Sequence, residues 1–156
     1  MCGRIDCFEN QFVDLATTGL PAKPLLLLAV LDLIATKMII RQFIEISPAL
    51  ISAYASYWQQ LAPELPANLP EPFQAMDQEP FWRIISRPGI IQPDTTCTTL
   101  DQLKEFYIGA KLDQELFPLL LMEPLRKRLQ TALISTHFKP PIQPALIELG
   151  KLNQSH

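Results

Sequence analysis

From Leu25 to Ala35 every position is apolar except Asp32. The run is far shorter than the roughly 20 residues that a membrane span needs. Leu20-Pro21-Ala22-Lys23-Pro24 breaks whatever precedes it, and Pro24 stands in the first turn, where its fixed φ and missing N–H suit a helix. A helix apolar on nearly every face from Leu25 to Thr36 must lie at the centre of a fold, covered on all sides. The rest of the chain has to supply that cover.

The chain has 156 residues, 48% hydrophobic and 19% charged. These values predict one globular domain over residues 1–156, able to bury roughly 70% of its unfolded surface without a metal or disulfide staple. Fifteen prolines with only five glycines suit short, proline-started helices better than a sheet protein rich in glycine turns. The net charge of −3 excludes a histone-like polycation but leaves room for a local basic patch. Asp6, Glu9 and Asp14 interrupt any apolar leader, so no signal peptide is expected. Cys2, Cys7 and Cys97 cannot form a fully paired disulfide framework and lack the usual metal spacing, which predicts a reduced, cytoplasmic protein.

The expected fold class is mainly α: a compact helical domain with one small β-hairpin. A first helix runs from Glu9 to Thr17, with Phe12, Leu15 and Ala16 at helical spacing. Ser47-Pro48 is a start signal, followed by Leu50, Ile51, Tyr54, Tyr57, Trp58 and Leu61 on one face. Pro63 to Pro80 carries five prolines and reads as a loop. Phe81–Ile85 and Ile90-Ile91, joined by Ser86-Arg87-Pro88-Gly89, read as the hairpin. Thr99 and Gln102 have capping-box spacing for a helix through Leu103, Phe106 and Tyr107. Asp113 to Leu121 reads as a short helix. Pro124 starts the last long one, with Leu125, Leu129 and Leu133 as its apolar stripe and Arg126, Lys127, Arg128 and Gln130 mostly outside it. Residues from about 140 to 156 read as a tail.

The catalytic inventory is thin. His137 and His156 are the only histidines, and Asn10, Asn68 and Asn153 do not bracket either of them at useful spacing. There is no H-E-x-x-H, paired C-x-x-C, phosphate loop or nucleophile elbow. No catalytic residue, metal or cofactor is therefore expected. Met1-Cys2-Gly3-Arg4 resembles the opening of the SRAP family, but nothing after Arg4 continues that resemblance.

Three blocks carry a more extended resemblance. Lys23-Pro24-Leu25-Leu26-Leu27-Leu28-Ala29-Val30-Leu31-Asp32-Leu33-Ile34 resembles the buried helix of the DNA sulfur-binding domain in McrA-type, HNH-containing, phosphorothioate-dependent restriction endonucleases. Pro80-Phe81-Trp82-Arg83-Ile84 is similar to that family's hairpin motif. Leu112 to Phe117, then Pro124, Arg126 and Leu129 to Phe138, are similar to its C-terminal helical pattern. The blocks fall in family order over roughly residues 5 to 140.

The resemblance implies a non-enzymatic recognition module of type IV restriction, binding phosphorothioated double-stranded DNA, with cutting left to a separate HNH domain or partner. Sulfur is larger, more polarisable and less hydrated than the oxygen it replaces, so a rigid apolar dimple favours it while Arg or Lys meets the charge. The family's pocket proline falls on Pro80 and the aromatic after it on Phe81. Where the family often has tyrosine this chain has Glu79, and where it often has a small residue it has Arg83. A pocket arginine would fall near Leu33, with Lys37 or Arg41 as possible substitutes. Trp82 completes the motif, and Lys23, Lys37, Arg41, Arg83 and Arg87 are the candidate phosphate contacts. Two other readings keep the fold without sulfur selectivity: a protein-interaction or regulatory module, and a reader of unmodified or base-modified DNA.

Overall fold

The computed structural model describes residues 5–15, 20–90 and 96–154, which contain eight α-helices and three short strands. The mainly helical reading holds. At its centre is α2 (Ala22–Ala35), in which every residue from Lys23 to Ile34 is buried. Around it pack α3 (Pro48–Leu61), α4 (Pro70–Ala75), α7 (Glu123–His137) and α8 (Gln143–Gln154). α1 (Ile5–Val13) lies on α7 and on the short α6 (Leu116–Leu120). It begins earlier than expected and ends at Val13, with Asp14 and Leu15 already outside it; the rest of the expected helix, Ala16 and Thr17, lies outside the described residues. Each leucine removed from water along α2 contributes about 1.5–3 kcal/mol, which is why this run dictates the architecture.

Asp32 is the one acid within that apolar helix, and three donors surround it. Tyr57 Oη of α3 and Asn153 Nδ2 of α8 donate to Oδ2, the latter at 2.8 Å, and Gln154 Nε2 donates to Oδ1 at 2.7 Å. Burial still pushes the Asp32 carboxyl above its ordinary value, and the same burial, with the Asp32 charge beside it, pushes the Tyr57 hydroxyl up. α8 is a correction to the expected tail. Leu146 is fully buried, and the chain turns back so that Asn153 and Gln154 reach Asp32.

The start signals behave as their chemistry demands. Ser47 Oγ accepts from Leu50 N at 3.1 Å, with Pro48 in the first turn of α3. Thr99 Oγ1 accepts from Gln102 N at 3.1 Å to open α5 (Leu100–Phe106). The Gln102 side chain reaches back to Thr98 N rather than to Thr99 N. Pro63–Pro80 is not wholly loop: Pro70 starts α4, and a 3₁₀ turn covers Met76–Gln78. Prolines confined to a first turn do not forbid a helix.

The expected hairpin is wrong in its pairing. β2 (Trp82–Ser86) does not turn back onto Ile90 but pairs antiparallel with β3 (Tyr107–Leu112), which also pairs with β1 (Phe43–Glu45), giving the order β1-β3-β2. The Pro88-Gly89 turn does form: Ile90 N donates to Arg87 O at 3.3 Å, and Gly89 has φ +78°. It leads away from the sheet, and Ile91 falls outside the described residues. Tyr107 accordingly begins β3 instead of continuing α5. The sheet alternates: Ile44, Trp82, Ala110 and Leu112 are buried on its inner face, and Glu45, Arg83 and Lys111 are exposed on the outer one.

Arg126 departs from the expected solvent-facing position and is buried, with Nη1 donating to the Leu120 carbonyl at the end of α6 (3.0 Å). Arg128 is exposed and ion-paired to Asp6 and Glu9 of α1. Cys97 is a buried free thiol, whereas Cys7 is disulfide-bonded, which departs from the fully reduced chain expected. No helix among the described residues is long and apolar enough to cross a membrane.

Candidate functional site

The region around Pro80 is built by a turn, a strand pairing and an ion pair. Pro80 is the second residue of a turn in which Trp82 N donates to Glu79 O at 3.3 Å, a position that suits its fixed φ. The turn leaves Pro80 exposed and delivers the chain into β2. From there the period-2 alternation sends Trp82 inward and Arg83 outward.

Beside Pro80 lies a cleft of about 320 Å³. Arg83 of β2 and Lys111 of β3 line it and are directly opposed in the ladder. Like charges in that position repel, and neither side chain has an ion-pair partner among the described residues. Gln42, Asp113 and Gln114 complete the polar part of the wall. Gln42 is held by a double link to Leu112, its Nε2 donating to the Leu112 carbonyl at 3.1 Å and its own carbonyl accepting from Leu112 N at 2.7 Å. Asp113 Oδ1 accepts from Glu115 N at 2.7 Å. With two cations against one carboxylate, the cleft favours an anion.

The candidate residues divide into three groups. Pro80 and Arg83 meet at the cleft, as expected. Lys37 and Arg41 are exposed on the loop that leads from α2 to Gln42, outside the cleft wall. Lys37 holds φ +64° as the residue just past the end of α2, with Lys37 N donating to Ile34 O (3.1 Å) and Met38 N to Leu33 O (2.9 Å).

The remaining candidates are structural. Phe81 packs on Phe12 with ring centroids 5.0 Å apart, and Trp82 meets Phe73 edge to face at 5.3 Å. Both are core aromatics that touch the cleft only from behind. Lys23 is not an open phosphate contact: it is buried and pairs with Glu79 at 2.8 Å. Glu79 is thereby neutralised inside the protein rather than presented beside the cleft. Arg87 Nε donates to Lys104 O at 2.5 Å and Arg87 N to Phe106 O at 2.8 Å, so this residue satisfies carbonyls at the end of α5. Leu33, where the resemblance would put an arginine, is buried.

Lys111, Gln42 and Gln114 were missed from the sequence. The local signal for the strand that carries Lys111 is weak: in Tyr107–Leu112 only Tyr107 and Ile108 favour a strand, against Gly109, Ala110 and Lys111. Its partner, 28 positions earlier in the chain (Arg83 to Lys111), follows only from the fold.

His137 takes no part in the cleft. Its Nε2 donates to the Phe12 carbonyl at 2.7 Å, tying the end of α7 to α1. No group of three or more metal-ligating side chains occurs among the described residues. No family model matches the chain, and no curated protein matches it significantly.

Proposed function

We propose that this domain is a DNA-binding recognition module that seats a phosphorothioate of double-stranded DNA against the exposed Pro80 ring, with Arg83 and Lys111 meeting the backbone charge. One observation carries the reading: two unpaired cations stand opposed across β2 and β3 beside an exposed proline. The arrangement is repulsive in the free protein and is relieved by a bound anion. The proline offers a rigid apolar face without an N–H, which suits the weakly hydrated sulfur. The internal Lys23–Glu79 pair supports it by neutralising the carboxylate next to Pro80, which leaves Asp113 as the cleft's carboxylate against two cations. Lys37 and Arg41 extend the basic surface along the adjoining loop. On this reading the module cuts nothing itself and directs an HNH nuclease domain or partner.

A second reading, a protein-interaction module, is favoured by Met38 and Ile40, which are 62% and 67% exposed on that same loop. Fluorescence polarisation separates the two, using matched duplexes with and without an Rp phosphorothioate at two salt concentrations. If Lys37, Arg41, Arg83 and Lys111 each neutralise one phosphate, log K falls with log salt at a slope of about −3.6, about 150-fold between 50 and 200 mM. Preference for the modified duplex, lost in a folded Pro80→Asp variant, is the expected result. Equal, salt-sensitive binding to both duplexes would make this a reader of unmodified or base-modified DNA. No binding in any context would leave the interaction module.

A further inference from the structure

We propose that the cavity between α7 and α8 is a second binding site, which takes a small organic anion through the guanidinium of Arg126. The cavity holds about 580 Å³, within the range of small-molecule sites, and shares no lining residue with the Pro80 cleft. Arg126 lines it and is only 8% exposed. Its Nη1 donates to the Leu120 carbonyl at 3.0 Å, Nε is buried with no acceptor, and no described residue accepts from Nη2. The edge left over, Nε with Nη2, is the one that meets a carboxylate or phosphate side-on through two parallel hydrogen bonds.

A desolvated charge without a hydrogen-bonded counter-ion is expensive, and the protein supplies none here. No described carboxylate lies within ion-pair distance of Arg126. Asp32 and Glu123 act on the electrostatics of this region from further away. The Asp32 oxygens are already bonded to Tyr57, Asn153 and Gln154, and Glu123 is paired with Lys127 at 3.0 Å. Lys127 and Lys151 stand at the same cavity, so its lining holds three cations against the single carboxylate of Glu123. Ile134 and Ile147 form an apolar wall, and the Gln130 and Gln154 side chains add amides. The complement is an oxyanion head, carboxylate or phosphate, on a small apolar body.

The test is titration of the nitrogen-15-labelled 156-residue chain with benzoate, phenyl phosphate and inorganic phosphate, followed by NMR. Saturable shifts at the Arg126 Nε–H and the Gly150 amide with benzoate or phenyl phosphate, at a Kd of about 1 mM or tighter, are the expected result. Which of the two binds more tightly distinguishes a carboxylate from a phosphate head. Inorganic phosphate lacks the apolar body and binds at least about tenfold more weakly. Arg126→Met removes the site but endangers the bond to Leu120, so Thr131→Trp is the decisive variant. Thr131 is exposed and lines the cavity, and a tryptophan there fills the space without touching the Leu120 contact. Loss of the shifts in Thr131→Trp with unchanged thermal stability supports the proposal. Absence of saturation with every probe, or saturation unaffected by Thr131→Trp, overturns it. Shifts at this cavity produced by a DNA duplex and by none of the small probes would overturn it as well.

Discussion

Replacing Lys23 by methionine keeps the aliphatic stem in the first turn of α2 and removes only the charge that faces Glu79. The two side chains are 8% and 10% exposed and meet at 2.8 Å across 56 positions of sequence. Removing one partner of so buried a pair leaves the other charge desolvated and unmatched, which costs about 3–5 kcal/mol, whereas an exposed pair contributes about 0–1. A cation near a helix N-terminus is itself unfavourable by about 0.3–1 kcal/mol, so its removal returns part of that. The expected net loss is therefore about 2.5–4.5 kcal/mol, or about 5–18 °C in Tm for a chain of this length.

A double-mutant cycle with Glu79→Met separates the pair from its surroundings. The double variant recovers most of the loss, because a buried pair replaced by apolar side chains is commonly neutral or better. The coupling energy from urea denaturation is then about 2 kcal/mol or more and insensitive to salt. A loss below about 1 kcal/mol for Lys23→Met, or a coupling energy within about 0.5 kcal/mol of zero, refutes a buried pair. The same double variant keeps the salt slope of any DNA binding, since Lys23 is occupied internally. A slope lowered by about one unit would return Lys23 to the interface.

Lys37→Gly relieves a left-handed conformation that costs a side-chain-bearing residue about 1 kcal/mol, so urea midpoints rise; on the DNA reading, the salt slope falls by about 0.9 at the same time. Gly109→Ala would put a Cβ 2.6 Å from Phe43 Cζ and closer still to the Ile44 carbonyl. Strand β1 must give way, and a loss of about 1–3 kcal/mol is expected in the same assay. Ser47→Ala removes the acceptor for Leu50 N and costs about 1 kcal/mol. Burial holds the Asp32 pKa above its ordinary 3.8, so its contribution is fully favourable below the unfolded pKa and is lost as pH rises through the folded one. Stability of the wild type relative to Asp32→Asn should therefore fall as pH is raised from below 3.8 through that window, and a difference that is flat or rises with pH contradicts it.

What was legible in the sequence was local chemistry. Ser47-Pro48 and Thr99 act through the first backbone N–H groups of their own helices, and the apolar run of α2 admits one solution whatever surrounds it. What was not legible was non-local. Pro88-Gly89 signals a turn correctly, but which strand β2 meets depends on β3, more than twenty positions away, so the local pattern points β2 to the wrong partner. The stripe of Leu125, Leu129 and Leu133 puts Arg126 on the solvent side together with Lys127 and Arg128. Only the packing of α6 and α7 shows that its stem is covered and that the Leu120 carbonyl receives its Nη1.

The same distinction bears on the candidate site. Of its nine residues, Phe81 and Trp82 belong to the core, Lys23 and Glu79 to each other, and Arg87 to the end of α5. Apart from Glu79, which enters as a departure from the resembled motif, each is a side-chain type that serves DNA binding and folding equally well. Burial and partners separate the two uses: a cation that has found a carboxylate or a carbonyl is committed, while Arg83 and Lys111 are left facing each other. Glu79 and Lys23 also change how the departures from the resembled motif count. A glutamate in place of tyrosine would repel a phosphate only if its charge were free, and it is matched 2.8 Å away by a lysine on the buried helix. That substitution alone therefore leaves the charge balance of the cleft to Arg83, Lys111 and Asp113, and sulfur selectivity turns on the shape around Pro80.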